Sequence, residues 1–156
     1  VVTRAAEQSS VFSDRLRACG AIPLELPTLE VVPPPDPLPL QRAIAQLESF
    51  TLLLLTSANG VDYFCRALPQ RPLPPLTIAV VGQKTAAALE TYGLRADVIP
   101  PEFIADALPD ALRAHGLDLS QQRILFPRVA SGGRDTLIDT LRDAGAAVTA
   151  VPAYDT

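Results

Sequence analysis

Short contiguous apolar runs alternate along this chain with stretches in which apolar residues recur every third or fourth position. The first pattern suits buried strands and the second suits amphipathic helices packed on a sheet. Residues 1–3 open the chain as a strand. Phe12, Leu16 and Cys19 then share one helical stripe, which Gly20 is placed to end. Residues 22–26 read as the next strand. Pro27, Pro33, Pro34, Pro35, Pro37 and Pro39 follow, in an extended segment that no helix can continue. Within it, residues 28–32 predict a β-type connector at a domain crossing.

After the prolines the alternation restarts. Leu40, Ile44 and Leu47 mark a helix, and residues 52–56 a buried strand. Val61, Phe64, Cys65 and Leu68 form another helical stripe. Residues 78–81 are a strand, 83–92 a helix ended by Gly93, and 97–99 a short strand. Ile104, Leu108 and Leu112 predict a helix that Pro109 either kinks or starts. Residues 124–126 make a strand, Leu137, Ile138 and Leu141 a helix, and 147–151 a last strand. The fold class is therefore α/β with a mainly parallel sheet. Residues 38–151 form a complete five-strand unit, whereas 1–26 give only a β-α-β piece that cannot enclose a core.

Composition narrows the function classes. With 48% hydrophobic and 19% charged residues, the 156-residue chain is globular rather than disordered. No apolar run reaches the roughly 18 residues of a membrane span, and no secretory leader pattern opens the chain. The expected setting is cytoplasmic, without a membrane. A net charge of −4 argues against a nucleic-acid partner held by bulk attraction to phosphate. Two cysteines, Cys19 and Cys65, and one histidine, His115, cannot complete a four-ligand zinc site by themselves. The cysteines read as small buried hydrophobes in a reducing compartment, and His115 as a cation at a helix end. Lys84 is the only lysine among thirteen cations, and methionine is absent. The missing methionine predicts a processed chain, a fragment or the ordered part of something longer.

In open α/β sheets, ligands bind outside the carboxyl ends of the strands, where helix N-termini gather. Four predicted strand-to-helix turns carry Thr3-Arg4, Thr56-Ser57-Ala58-Asn59-Gly60, Gly82-Gln83-Lys84-Thr85 and a run from Pro127-Arg128 through Ser131-Gly132-Gly133-Arg134. Hydroxyls, free N–H groups and a few cations suit a ligand with several carboxylates or phosphates. Each residue also has a plainer role. Ser57, Asn59, Thr85 and Ser131 serve as helix N-caps, Gly82 as a turn glycine, and Lys84 and Arg128 as solvated charges. Tyr154, just past the last strand, is either a packing residue or a proton donor.

These residues carry a resemblance to the uroporphyrinogen-III synthase family. The likeness runs in order through Val2-Thr3-Arg4, Pro27 with Glu30, Thr56-Ser57-Ala58-Asn59-Gly60-Val61 and Val81-Gly82 with Thr85-Ala86. It continues through Gly93-Leu94, Asp97-Val98-Ile99-Pro100, Glu102-Phe103, Pro127-Arg128, Gly145-Ala146 and Tyr154-Asp155-Thr156. The resemblance implies two flavodoxin-like α/β domains joined by a β connector, the first domain discontinuous. On that plan, residues 1–33 are the N-terminal part of domain 1 with its connector, and 34–150 a complete domain 2. Residues 151–156 are the return connector, and the rest of domain 1 is absent. The implied activity is that of a cofactor-independent lyase of tetrapyrrole (haem, chlorophyll, cobalamin) biosynthesis. It cyclises linear hydroxymethylbilane, which carries eight carboxylates, with loss of water and inversion of the terminal pyrrole ring. Tyr154 then matches the catalytic tyrosine that helps the hydroxyl leave. Ser57 and Thr85 match positions lining the interdomain cleft, and Arg4 and Arg128 its basic positions; with Asn59, Gly82 and Lys84 from the same turns they make up the candidate substrate-binding set. The implied full-length protein is a monomer with no metal and no nucleic-acid partner, and this stretch alone is inactive. Ala5 departs from the proline frequent after the arginine. The alternative is a non-catalytic flavodoxin-like module that binds a small anion or a partner protein.

Overall fold

The computed structural model describes residues 1–3, 6–69, 72–101, 107–131 and 135–156, with backbone only for 6–10. They form two compact units, Val1–Val32 with Thr156, and Pro33–Asp155.

In the first unit, helix α1 (Ala6–Ala18) ends where Gly20 takes φ +82°, a left-handed conformation open to glycine. The flanking strands meet at one parallel bridge, Val2 to Glu25. There the Val2 N–H donates to Leu24 O at 2.8 Å and the Leu26 N–H to Val2 O at 2.9 Å. Of the helical stripe, Leu16 is half-buried, while Phe12 is 44% exposed and Cys19 is exposed rather than interior; Val11 at 67%, and Ile22 at 98% and Leu24 at 64% in the segment that follows, are exposed as well. The physical reason is that a single bridge makes no sheet face for an apolar helix stripe to cover.

The second unit is a four-stranded parallel sheet, β1 (Leu52–Leu55), β2 (Thr77–Val80), β3 (Arg123–Val129) and β4 (Ala147–Tyr154), in the order β2-β1-β3-β4. Helices α2 (Leu38–Ala45), α3 (Ala58–Ala67), α4 (Gln83–Glu90), α5 (Leu108–Ala114) and α6 (Thr136–Asp143) connect and cover it. All four leucines of β1 are fully buried, because a central parallel strand is covered on both faces. One face packs Leu52, Leu54, Ile124 and Phe126 against Leu108, Leu112, Leu137 and Leu141 of α5 and α6. Leu40, Ile44, Val61, Phe64 and Leu89 of α2, α3 and α4 are buried as well. Pro109 lies in the first turn of α5, where its missing N–H costs nothing, and His115 caps that helix.

The fifth strand expected at 97–99 shrinks to a single parallel bridge between Ala79 and Val98. The Asp97 carboxylate accepts the Ile78 N–H at 2.7 Å, and Pro100 and Pro101 supply no further donors. At the other edge the last strand is longer than expected. β4 continues from Val151 to Tyr154, so the segment expected as the start of a return connector belongs to the sheet as far as Tyr154. The pairing with β3 carries it there, and the register slips between Arg128, opposite Pro152, and Val129, opposite Tyr154. Ala153 is thus the extra residue of a β-bulge.

Candidate functional site

The chain leaves β1 toward β2 on one side and β3 toward β4 on the other. The carboxyl ends of the paired strands β1 and β3 therefore flank the topological switch point, where open α/β sheets form a crevice. Ser57 lies two residues past the end of β1, after Thr56, with extended backbone (φ −150°, ψ 152°), and begins α3 as its N-cap. Its Oγ accepts the Gly60 N–H at 3.0 Å, satisfying one of the otherwise orphaned donors of the first turn.

Tyr154 reaches the same hydroxyl, with Ser57 Oγ and Tyr154 Oη 3.1 Å apart. The bulge makes this possible. Ala150 packs against the α5–α6 side, and unbroken alternation would send Tyr154 to that face as well. The extra residue turns the ring to the α3 side, where it stacks on Tyr63 with centroids 5.9 Å apart and 24° between planes. Tyr154 is 8% exposed, whereas Ser57 is only half-buried. Gly60 supplies the clearance. A Cβ there would stand 3.1 Å from Ser57 Oγ, 3.5 Å from Pro127 O and 4.0 Å from Tyr154 Cε1.

The other predicted residues distribute around this pair. Asn59 is half-buried in the first turn of α3. Gly82 is the N-cap of α4 at φ +88°, ψ 150°, a region in which only glycine is unstrained. Lys84 is exposed in the first turn of α4, where the helix dipole disfavours a cation. Thr85 is 4% exposed, and its hydroxyl donates to Val81 O at 2.9 Å, so its proton is already committed to the local backbone. Arg4 lies outside the described residues, as do Gly132, Gly133 and Arg134.

Arg128 is not brought to the Ser57–Tyr154 pair. Its guanidinium sits 5.8 Å from the Phe126 ring centroid, on the α5–α6 side, and is ion-paired with Asp135 at 2.5 Å. Its side chain is 15% exposed and helps line a cavity of about 460 Å³ with Asp36, Asp135, Ala150 and Pro152. The expected solvated charge is thus a largely covered one with its counter-ion already in place. The far end of β4 is fixed by the Ala130 N–H on Tyr154 O at 2.7 Å and by the Ser131 hydroxyl on Asp155 Oδ1 at 2.5 Å.

Sequence reasoning missed Tyr63 and Asp135, and placed Gly60 in the candidate turn without giving it a role. Tyr63 fell between the apolar positions of the α3 stripe, and no local pattern announces a stacking partner 91 residues later. Cys65 of the same helix is half-buried, and burial, aided by the Asp62 carboxylate, pushes its thiol up to about 11. Among the described residues, no three His, Cys, Asp or Glu side chains gather in a way that could hold a metal ion. No helix among them is long and apolar enough to cross a membrane.

The fold and the site together define a doubly wound α/β protein with a buried phenol hydrogen-bonded to a helix-capping serine at the switch point. Residues 10–156 match the family model described as uroporphyrinogen-III synthase HemD, and the chain belongs to that family. It is 46% identical to a uroporphyrinogen-III synthase of Synechococcus elongatus, over 99% of this chain and 59% of the relative. It is also 32% identical to a porphyrin biosynthesis protein HemD of Ruminiclostridium josui, over 100% of this chain and 31% of that protein. A solved uroporphyrinogen III synthase mutant from Thermus thermophilus shares the fold with a TM-score of 0.65 at 22% identity, over 97% of this chain and 60% of that one. The chain thus spans about three-fifths of the Synechococcus and Thermus proteins.

Proposed function

We propose that this chain is the larger part of an enzyme that cyclises hydroxymethylbilane to uroporphyrinogen III, with loss of water and inversion of the terminal pyrrole ring. Family membership supports the reading, and one observation carries it into this site: the Ser57–Tyr154 hydroxyl pair at the switch point. The reaction needs a weak acid beside a departing hydroxyl and a shape that holds the terminal ring for attack at its substituted carbon. A phenol hydroxyl is a proton donor of this kind. Lys84, Asn59, the backbone around Gly82 and the Arg128 cavity are the proposed contacts for the carboxylates of the substrate, with Arg4 and Thr85 retained as further positions. Arg128 would have to exchange Asp135 for a substrate carboxylate, a charge-assisted pair of the same chemistry. The proposed enzyme is a cytoplasmic monomer.

The unit Val1–Val32 is proposed as the first part of a discontinuous domain. The exposed Val11, Phe12, Ile22 and Leu24 support that reading, since burying each such side chain is worth about 1.5–3 kcal/mol. The 156-residue chain alone is accordingly expected to be inactive. The test is the full-length protein incubated with hydroxymethylbilane, with the product isomers resolved by chromatography. Excess type III over the spontaneous type I isomer is expected. Type I alone, from a folded full-length protein, overturns the proposal and favours the binding module.

A further inference from the structure

The pairing of Ser57 with Tyr154 has a direction. A serine hydroxyl has one proton and two lone pairs, and the Gly60 N–H occupies one lone pair of Ser57 Oγ. Tyr154 Oη at 3.1 Å takes either the second lone pair or the proton. Were Ser57 the donor, the phenol proton of a residue 8% exposed, beneath Tyr63 and against Gly60, would need another acceptor. No other hydrogen bond of the phenol is found among the described residues. A buried donor without an acceptor costs about 1–3 kcal/mol in general, so Tyr154 donates and Ser57 accepts. That leaves the proton of Ser57, the more exposed of the two residues, as the one offered outward at the carboxyl edge of β1.

From this geometry we infer that Ser57 is the hydroxyl that meets the substrate and that Tyr154 acts through it, as the proton source and positioning residue behind it. The inference rests on the proposed cyclisation. The carbon–oxygen bond of the substrate's hydroxymethyl group breaks, and the oxygen leaves as water carrying the Ser57 proton. The Tyr154 proton moves to Ser57 Oγ, leaving a phenolate. The proton lost from the terminal ring's unsubstituted α-carbon on final closure returns through Ser57 to the phenolate, so the pair is unchanged after each turnover. The bulge at Ala153 and the missing Cβ at Gly60 are what let a strand-end phenol stand behind a helix cap.

The experiment uses the full-length protein and its Ser57→Ala, Tyr154→Phe, doubly substituted and Ser57→Thr forms. Type III formation is measured at saturating hydroxymethylbilane and corrected for folded fraction by circular dichroism. Loss of a positioned acid is expected to slow Ser57→Ala by about 10²-fold. Tyr154→Phe should be slowed less, and the double variant no more than Ser57→Ala, because the phenol has no route around the serine. Ser57→Thr, which keeps both cap and hydroxyl, should recover most of the rate. Multiplying effects, or a greater loss in Tyr154→Phe than in Ser57→Ala, overturn the inference.

A second arm is independent of turnover. A slowly exchanging Tyr154 hydroxyl proton is expected by NMR in the unsubstituted protein and should vanish in Ser57→Ala. Its persistence there shows that the phenol donates elsewhere and overturns the inference. A full-length protein that makes only type I product while showing the serine-dependent proton refutes the proposed cyclisation and, with it, the catalytic role given to Ser57.

Discussion

Replacing Gly60 by alanine sets two effects of opposite sign against each other. Gly60 lies in helix α3, where alanine is favoured over glycine by about 0.5–1 kcal/mol, so propensity alone predicts a more stable protein. The site predicts the reverse. The new Cβ would be 3.1 Å from Ser57 Oγ, closer than such contacts normally come, and the hydroxyl must move. Moving it stretches the 3.0 Å cap bond from the Gly60 N–H and the 3.1 Å bond to Tyr154 together. Loss of an N-cap costs about 1 kcal/mol, and a buried phenol left without its partner costs about 1–3 kcal/mol more. The hydroxyl has to give by a few tenths of an ångström, so these costs are ceilings, and after subtracting the helix gain a net loss of up to about 2 kcal/mol is expected. Urea unfolding of this chain, followed by far-ultraviolet circular dichroism, reads it as a lower midpoint with unchanged slope. The same change in a Ser57→Ala background should be neutral or stabilising, because the colliding oxygen is gone. A Gly60→Ala protein more stable than the parent would refute the geometry on which the site rests.

Two further outcomes follow from single positions. Gly82→Ala places a side chain at φ +88°, ψ 150° and should cost about 1–3 kcal/mol, lowering the urea midpoint; an unchanged midpoint would show that the α4 cap relaxes freely. With its thiol raised to about 11, Cys65 should alkylate with iodoacetamide at pH 8 roughly a hundredfold more slowly than an unperturbed thiol, read by mass spectrometry. The sign of the linked stability follows from the same shift. Folding favours the protonated thiol, so its contribution is complete below about pH 9 and declines as pH rises toward 11. Equal labelling at pH 8 would contradict the burial of this thiol.

Much of the architecture is local and therefore legible in the chain. The unbroken Leu52–Leu55 run requires cover on both faces, and the parallel sheet provides it. Gly20, Gly93, Gly116 and Gly145 all take positive φ, and Gly20 and Gly93 are helix ends that a glycine after an amphipathic stripe announces. The Thr56-Ser57 turn likewise announces an N-cap, and the structure has one. The stripe of α1 misleads because periodicity states which face seeks burial, not whether a partner surface exists. Phe12 and Cys19 stand at the right spacing and are exposed all the same.

The sequence by itself determined the α/β class, the order of elements in the larger unit and the strand ends at which polar side chains collect. Those are consequences of periodicity, capping and backbone chirality, which act over a few residues. Only the tertiary structure decided which of those side chains meet. One extra residue in β4 moved Tyr154 across the sheet to Ser57, while Arg128 stayed on the opposite face with Asp135. A bulge is set by pairing between strands distant in the chain, so the residues that carry it give no local sign of which face the next side chain will take.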